Sequence, residues 1–153
     1  MDTLERFLAD HKFLEEMKPE FIEQIVGCAS NVHFSSGDII CREGRDADKF
    51  YFIRDGKVAL DIHMPQKGSI SIMTLDSDSV LGWSWLFPPY RWQFNARAKT
   101  EVSAIAIEGA CLRAKCINDH EFGYEILKRF SRILAERLQL TRLQLMDVYS
   151  ANG

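Results

Sequence analysis

The side chains best equipped for chemistry crowd into residues 80 to 97, Val-Leu-Gly-Trp-Ser-Trp-Leu-Phe-Pro-Pro-Tyr-Arg-Trp-Gln-Phe-Asn-Ala-Arg. This stretch holds all three tryptophans of the chain and two of its four prolines. Indole faces are stacking platforms for flat ligands. Arg91 and Gln93 are donors suited to anionic or carbonyl oxygens. Pro88-Pro89 cannot lie inside a helix or a central strand, and so many indoles are costly to leave in water. The segment is therefore expected to form a short helix and loop folded against the wall of a pocket.

Other constellations are weaker. Cys111, Cys116 and His120 read C-x4-C-x3-H, which lacks a nearby fourth ligand and fits no standard zinc spacing. Asp76-x-Asp78 hints at a calcium loop, but position twelve of that register is Phe87, where a bidentate Glu is needed. The histidines at 11, 33, 63 and 120 are scattered, and no carboxylate pair, Ser-His-Asp set or P-loop pattern occurs. An enzyme is not expected. Cys28, Cys41, Cys111 and Cys116 are too few for a disulfide scaffold and are read as buried, reduced thiols. No N-terminal cysteine cluster suggests an iron–sulfur centre.

The elements that must position these residues follow from pattern. At 153 residues and 46% apolar, the chain has room for one ordinary domain with a real core. Its net charge of −3 gives no basic footprint for nucleic acid. No apolar run approaches the roughly 18 residues of a membrane span, and the N-terminus lacks a signal-peptide core, so a cytoplasmic address and no membrane partner are expected. Leu4, Phe7 and Leu8 form one helical stripe; Phe21, Ile22, Ile25 and Val26 form another, with Pro19 at a helix start. From Val32 to Ile107, short β-branched and aromatic runs alternate with turn residues such as Ser36-Gly37-Asp38, Glu43-Gly44 and Asp55-Gly56. That grammar indicates hairpins of a β sandwich or barrel.

After Gly109 the helical period returns, as a short helix over 111–119 and a long one from 121 to about 149, with a break expected near Gly123. Leu127, Leu134, Thr141 and Val148 fall seven apart, with Leu138 and Leu145 in the alternate row, a coiled-coil signature. Ile126, Phe130, Ile133 and Leu140 make a second stripe. The expected fold is mainly β with flanking helices, in one domain: N-terminal helices over 1–30, a β-roll over 31–108, and C-terminal helices over 110–149.

This layout resembles the cyclic-nucleotide-binding domain of the Crp/Fnr and protein-kinase-regulatory superfamily, a double-stranded β-helix of the jelly-roll type with a long C-terminal helix. The resemblance rests on Phe34, Gly37, Asp38 and Ile40, then Glu43, Gly44, Ala47, Phe50, Tyr51, Ile53, Gly56 and Val58. These match f-x-x-G-[DE]-x-[IL] followed by E-G-x-x-A-x-x-[FL]-Y-x-I-x-x-G-x-[VL]. Arg97-Ala98-Lys99-Thr100 is similar to the strand after the ligand loop, and Arg137-Leu138-Gln139-Leu140-Thr141 to the dimerisation helix of catabolite activator proteins.

The resemblance implies a bacterial-type regulatory module and a phosphate-binding cassette at Gly82, Trp83, Ser84, Trp85, Leu86, Arg91, Trp92 and Gln93. In the family, a glutamate of this cassette accepts the ribose 2′-hydroxyl. An arginine pairs with the cyclic phosphate, helped by N–H groups at the start of a short helix. Gly82 and Leu86 fit the pattern. Trp83 stands in the glutamate slot, Trp85 in that of a small residue, and Trp92 in the arginine slot, with Arg91 one position away. Thr141 matches the helix residue that meets the base, and Arg142 follows it.

Three functions remain in play. A stand-alone sensor would bind a cyclic nucleotide, or another small ligand stacked on indoles, as its only ligand or cofactor. A ligand-free, Trp-plugged module would act by homodimerisation through Leu127, Leu134, Leu138 and Leu145, or by docking a regulatory protein. A truncated transcription regulator is the third. As it stands, the chain has no helix-turn-helix after the long helix and is not expected to bind DNA directly.

Overall fold

The computed structural model describes residues 3–152, with the side chains of 149, 151 and 152 set aside. The chain divides into two compact units, Met1–Lys115 and Cys116–Gly153.

In the first unit, helix α1 (Thr3–Asp10) leads through a 3-10 turn over Lys12–Leu14 to α2 (Pro19–Val26). Pro19 sits at the start of α2, where its missing N–H and fixed φ carry no penalty. His11 caps the 3-10 turn, its Nδ1 accepting from the Phe13 N–H at 3.2 Å. Eight strands follow: β1 (Ala29–Phe34), β2 (Ile39–Cys41), β3 (Lys49–Asp55), β4 (Val58–Met64), β5 (Gly68–Leu75), β6 (Val80–Leu81), β7 (Asn95–Ala98) and β8 (Val102–Glu108). They form two four-stranded antiparallel sheets, ordered β1-β8-β3-β6 and β2-β7-β4-β5. This is the expected β-roll.

The hairpins turn where the sequence places glycine. Gly56 has φ +103° between β3 and β4, and a Cβ there would collide with the Glu101 carbonyl. Only glycine accepts both the backbone conformation and the close approach.

Strand alternation then sorts the core. Inside the roll lie Cys41, Ala47, Ile53, Val58, Leu60, Leu75, Leu81, Ala96, Ala98, Val102 and Ala104, together with Trp92 and Phe94. Phe50 and Phe52 leave β3 on its other face, and Phe52 packs there against His11 and Phe13. Leu8, Leu14, Ile22 and Ile25 of the N-terminal helical segment are buried.

One expectation is corrected here. Cys28 and Cys111, read as reduced thiols, are joined in a disulfide with their Cα atoms 5.8 Å apart. The β1–β8 pairing brings them together: Ala29 lies opposite Ile107, and the Glu108 N–H donates to the Cys28 carbonyl at 2.9 Å. Cys41 and Cys116 are the free thiols.

Helix α3 (Gly109–Asn118) crosses the boundary between the units, and α4 (His120–Asn152) makes up most of the second. The expected break near Gly123 is absent. Asp119 starts α4 by accepting from the Phe122 N–H at 3.1 Å, and the Gly123 N–H donates to the Asp119 carbonyl at 2.9 Å. Glycine is needed instead for close approach, since a Cβ at 123 would lie 2.8 Å from the Cys116 carbonyl oxygen. No helix among the described residues is long and apolar enough to cross a membrane.

Candidate functional site

The segment between β6 and β7 forms consecutive turns with no helix, contrary to the short helix expected there. The Pro88-Pro89 bond is cis, and Asp78, before β6, and Tyr90, within the segment, adopt positive φ. Two prolines so close together remove the N–H groups a helical turn would need. The anion site of a helix N-terminus is therefore missing from this loop.

Backbone pairing fastens the loop to the turn between β2 and β3. The Gly44 N–H donates to the Trp92 carbonyl at 2.9 Å, the Trp92 N–H to the Arg45 carbonyl at 2.9 Å, and the Ala47 N–H to the Tyr90 carbonyl at 2.8 Å. The Leu86 N–H donates to the Trp83 carbonyl and the Tyr90 N–H to the Phe87 carbonyl. Three N–H groups of the loop, those of Leu86, Tyr90 and Trp92, are thus spent within the protein.

The three indoles part company. Trp92 is 5% exposed and enters the roll, where its six-membered ring seats on Gly82: a Cβ at Gly82 would lie 2.7 Å from it. With φ +103°, Gly82 is required twice over, by conformation and by the ring. Trp83 is half-buried and meets Phe94 edge-on at 5.5 Å; Trp92 and Phe94 are 5.9 Å apart. The neighbouring strand residues are small (Ala96, Ala98 and Ala104), and the wide rings fill the core beside them.

Trp85, fully buried, goes the other way and stacks on Phe50 at 4.7 Å with ring planes 17° apart. Its carbonyl accepts from Arg113 of α3, whose guanidinium also lies 4.1 Å from the centre of the Tyr90 ring. Ser84 is buried, and Leu86 is half-buried.

The polar candidates face outward. The Arg91 Nη1 donates to the Gly44 carbonyl at 2.9 Å and lies 3.4 Å from Asp46 Oδ1, with the side chain more than half exposed. Gln93 is exposed and donates to the Arg91 carbonyl at 3.1 Å. Arg113 is a cation that the loop does engage inside unit one, through the Trp85 carbonyl. Sequence reasoning missed Arg113, because its place on α3 gives no signal until the loop folds beneath it.

Burial sets the chemistry of the remaining groups. The Cys41 thiol inside the roll is pushed up to about 12 and the Tyr51 hydroxyl to about 12, both chiefly by desolvation. Neither is a reactive nucleophile at neutral pH. His11 is held below its ordinary 6.5 by burial, against a weaker opposing pull from the Asp78 carboxylate. No group of three or more metal-ligating side chains occurs among the described residues.

In the second unit, Thr141 is exposed and donates its hydroxyl to the Arg137 carbonyl at 2.9 Å; Arg142 is exposed. Leu127, Leu138 and Leu145 are 45%, 65% and 54% exposed, and Leu134 is half-buried. The other stripe is buried only at its start: Ile126 and Phe130 are buried, Ile133 is half-buried and Leu140 is exposed.

Residues 31–119 match the family model described as the cyclic nucleotide-binding domain. The chain belongs to this family. Among solved cyclic nucleotide-binding folds, it is similar to a Geobacter metallireducens GS-15 protein described as cyclic nucleotide-binding. That similarity is 25% in identity over 90% of this chain and 99% of the other, with a TM-score of 0.79. A cyclic nucleotide-binding domain from Methylobacillus flagellatus KT shares the fold at 15% identity, covering 94% of this chain and 80% of its own, with a TM-score of 0.79. The catabolite activator protein of Thermus thermophilus does so at 19% identity over 90% of this chain and 62% of its own, with a TM-score of 0.73. No curated protein matches the sequence.

Proposed function

We propose that this cyclic nucleotide-binding-type chain is a non-catalytic, cytoplasmic regulatory module. In this reading its cassette is closed by its own indoles, and it acts by pairing with a second copy through α4. The observation that carries the reading is the Trp92 ring seated on Gly82 while Arg91 turns out to Asp46. A cyclic phosphate entering in the family manner would meet an uncharged indole where a guanidinium is needed. Each lost charge-assisted bond removes about 1.5–3 kcal/mol. The apolar row Leu127, Leu138, Leu145 and Val148, half or more exposed along α4 for the most part, supports the pairing. Arg142 and Thr141 then serve the surface of that helix rather than a base.

Isothermal titration with cAMP and with cGMP is expected to give no binding up to millimolar nucleotide. Micromolar binding of either would instead establish the sensor reading, which has the family match behind it. Sedimentation is expected to show a dimer that Leu138→Glu with Leu145→Glu converts to monomer. A wild-type chain that is already monomeric would remove the pairing.

A further inference from the structure

The Cys28–Cys111 bond sits at a mechanical junction. Cys28 lies between α2 and β1, and Cys111 lies in the first turn of α3. A second tie runs alongside, the Lys115 Nζ donating to the Gln24 carbonyl of α2 at 2.7 Å. From the same helix, Arg113 reaches the other way, to the Trp85 carbonyl and the Tyr90 ring of the loop. So α3 connects the helical layer at one end of its contacts with the Trp-rich loop at the other. The disulfide is the covalent member of that set. Leu112, fully buried between these contacts, anchors α3 without it.

We propose that Cys28–Cys111 is a reversible redox latch: oxidised, it holds α3 against the end of α2 and steadies the Trp85–Tyr90 loop through Arg113; reduced, it loosens both while Leu112 keeps α3 in place. Cys111 is the more accessible partner, since Cys28 is 5% exposed and Cys111 is half-buried. A thiolate of a dithiol reductant attacks Cys111 Sγ, the Sγ–Sγ bond breaks, and Cys28 leaves as a thiolate that takes a proton from water. The second thiol of the reductant then closes its own disulfide and releases Cys111. Two electrons have passed from the dithiol to the protein. A small disulfide such as oxidised glutathione runs the exchange backwards.

The internal thiols do not short-circuit the latch. Cys41 is buried inside the roll, and Cys116 is raised to about 11 by desolvation and the Asp119 carboxylate, so neither supplies an attacking thiolate at neutral pH. The switch therefore answers to an external dithiol. It operates whether or not a ligand enters the cassette.

The test uses the full chain under native conditions with dithiothreitol. With the dithiol applied to the native protein, then removed in acid, and the thiols counted only after denaturation, four should be found where two were found without treatment. Far-UV circular dichroism of the treated native protein should be unchanged. Because all three tryptophans lie in the loop, their emission reports its state directly. Emission should shift on reduction, α3 amides should exchange about tenfold faster or more, and oxidised glutathione should restore both. The paired variant Cys28→Ser with Cys111→Ser should match the reduced protein and ignore the dithiol. If that variant does not fold, wild-type reduction decides alone. A thiol count that stays at two unless the protein is unfolded during treatment would make the bond a permanent staple and overturn the latch. So would reduction that leaves both tryptophan emission and α3 exchange unchanged.

Discussion

Two aromatic clusters sit back to back across β3, and they are built on opposite terms. Inside the roll, Trp92, Phe94 and Trp83 pack among alanines and aliphatic strand residues. On the outer face, Trp85, Phe50, Phe52, His11 and Phe7 form a chain of ring contacts. The outer cluster alone carries an imidazole, and Arg113, from the helix that holds the disulfide, reaches its Trp85 through the backbone carbonyl. The inner one is an apolar plug. One loop supplies an indole to each side, so a short segment ties an inert filling to a layer that proton and thiol chemistry can reach. In the proposed function the inner cluster excludes the family's ligand, and in the proposed latch the outer cluster is where control is exerted.

The largest effects should come from removing one indole at a time. Trp85→Ala and Trp92→Ala are each expected to lose roughly 3–5 kcal/mol in urea unfolding, as buried aromatic truncations do. They should differ in where the loss is felt. Trp85→Ala keeps the carbonyl that Arg113 holds but removes the indole that stacks the loop on Phe50. It should let that carbonyl and the Tyr90 ring shift and speed amide exchange in α3, while Trp92→Ala should leave α3 protected and loosen β6 and β7. Equal loss of α3 protection in both variants would show that the two clusters are one.

Much of this division was hidden from the sequence, for physical reasons. The hairpins were legible because positive φ falls on glycine, and Gly37, Gly44 and Gly56 all adopt it. The crowding of indoles into one segment was legible too, because all three tryptophans stand between Val80 and Arg97. Which side of β3 each indole enters was not, since that depends on how the loop pairs with the distant turn between β2 and β3 through Gly44, Arg45 and Ala47. The short helix expected in the loop failed because Pro88 and Pro89 lack the N–H groups a helical turn would need. The disulfide joins residues 83 apart in sequence and is dictated by the β1–β8 register, which spacing alone does not reveal. The break assigned to Gly123 treated a glycine as a weak helix former, when its role is to admit the Cys116 carbonyl.

A smaller effect should separate the clusters by pH. Burial lowers the His11 pKa in the folded state, so below 6.5 the unfolded chain takes up a proton that the folded chain resists. Stability should be flat above that value with respect to this group, and should decline as pH falls from 6.5 towards the lowered folded value. One proton limits the slope to about 1.4 kcal/mol per pH unit. Urea unfolding at successive pH values should show the decline in wild type and a shallower one in His11→Leu. A decline equally steep in the variant would place the titration elsewhere and remove the asymmetry in proton chemistry.

The smallest expected effect is at Arg91, the arginine nearest to the family's phosphate ligand in sequence. Its partners are the Gly44 carbonyl and the exposed Asp46 carboxylate, at 2.9 and 3.4 Å. An ion pair so exposed contributes about 0–1 kcal/mol. Arg91→Ala should therefore move the urea midpoint slightly and leave the cAMP and cGMP titrations as they are in wild type. If Arg91 were the phosphate ligand, the same substitution would abolish a measurable affinity, because the loss of a charge-assisted contact weakens binding about tenfold or more. The two outcomes differ in kind, so this mild variant tests most directly whether the inner cluster is a plug or a pocket wall.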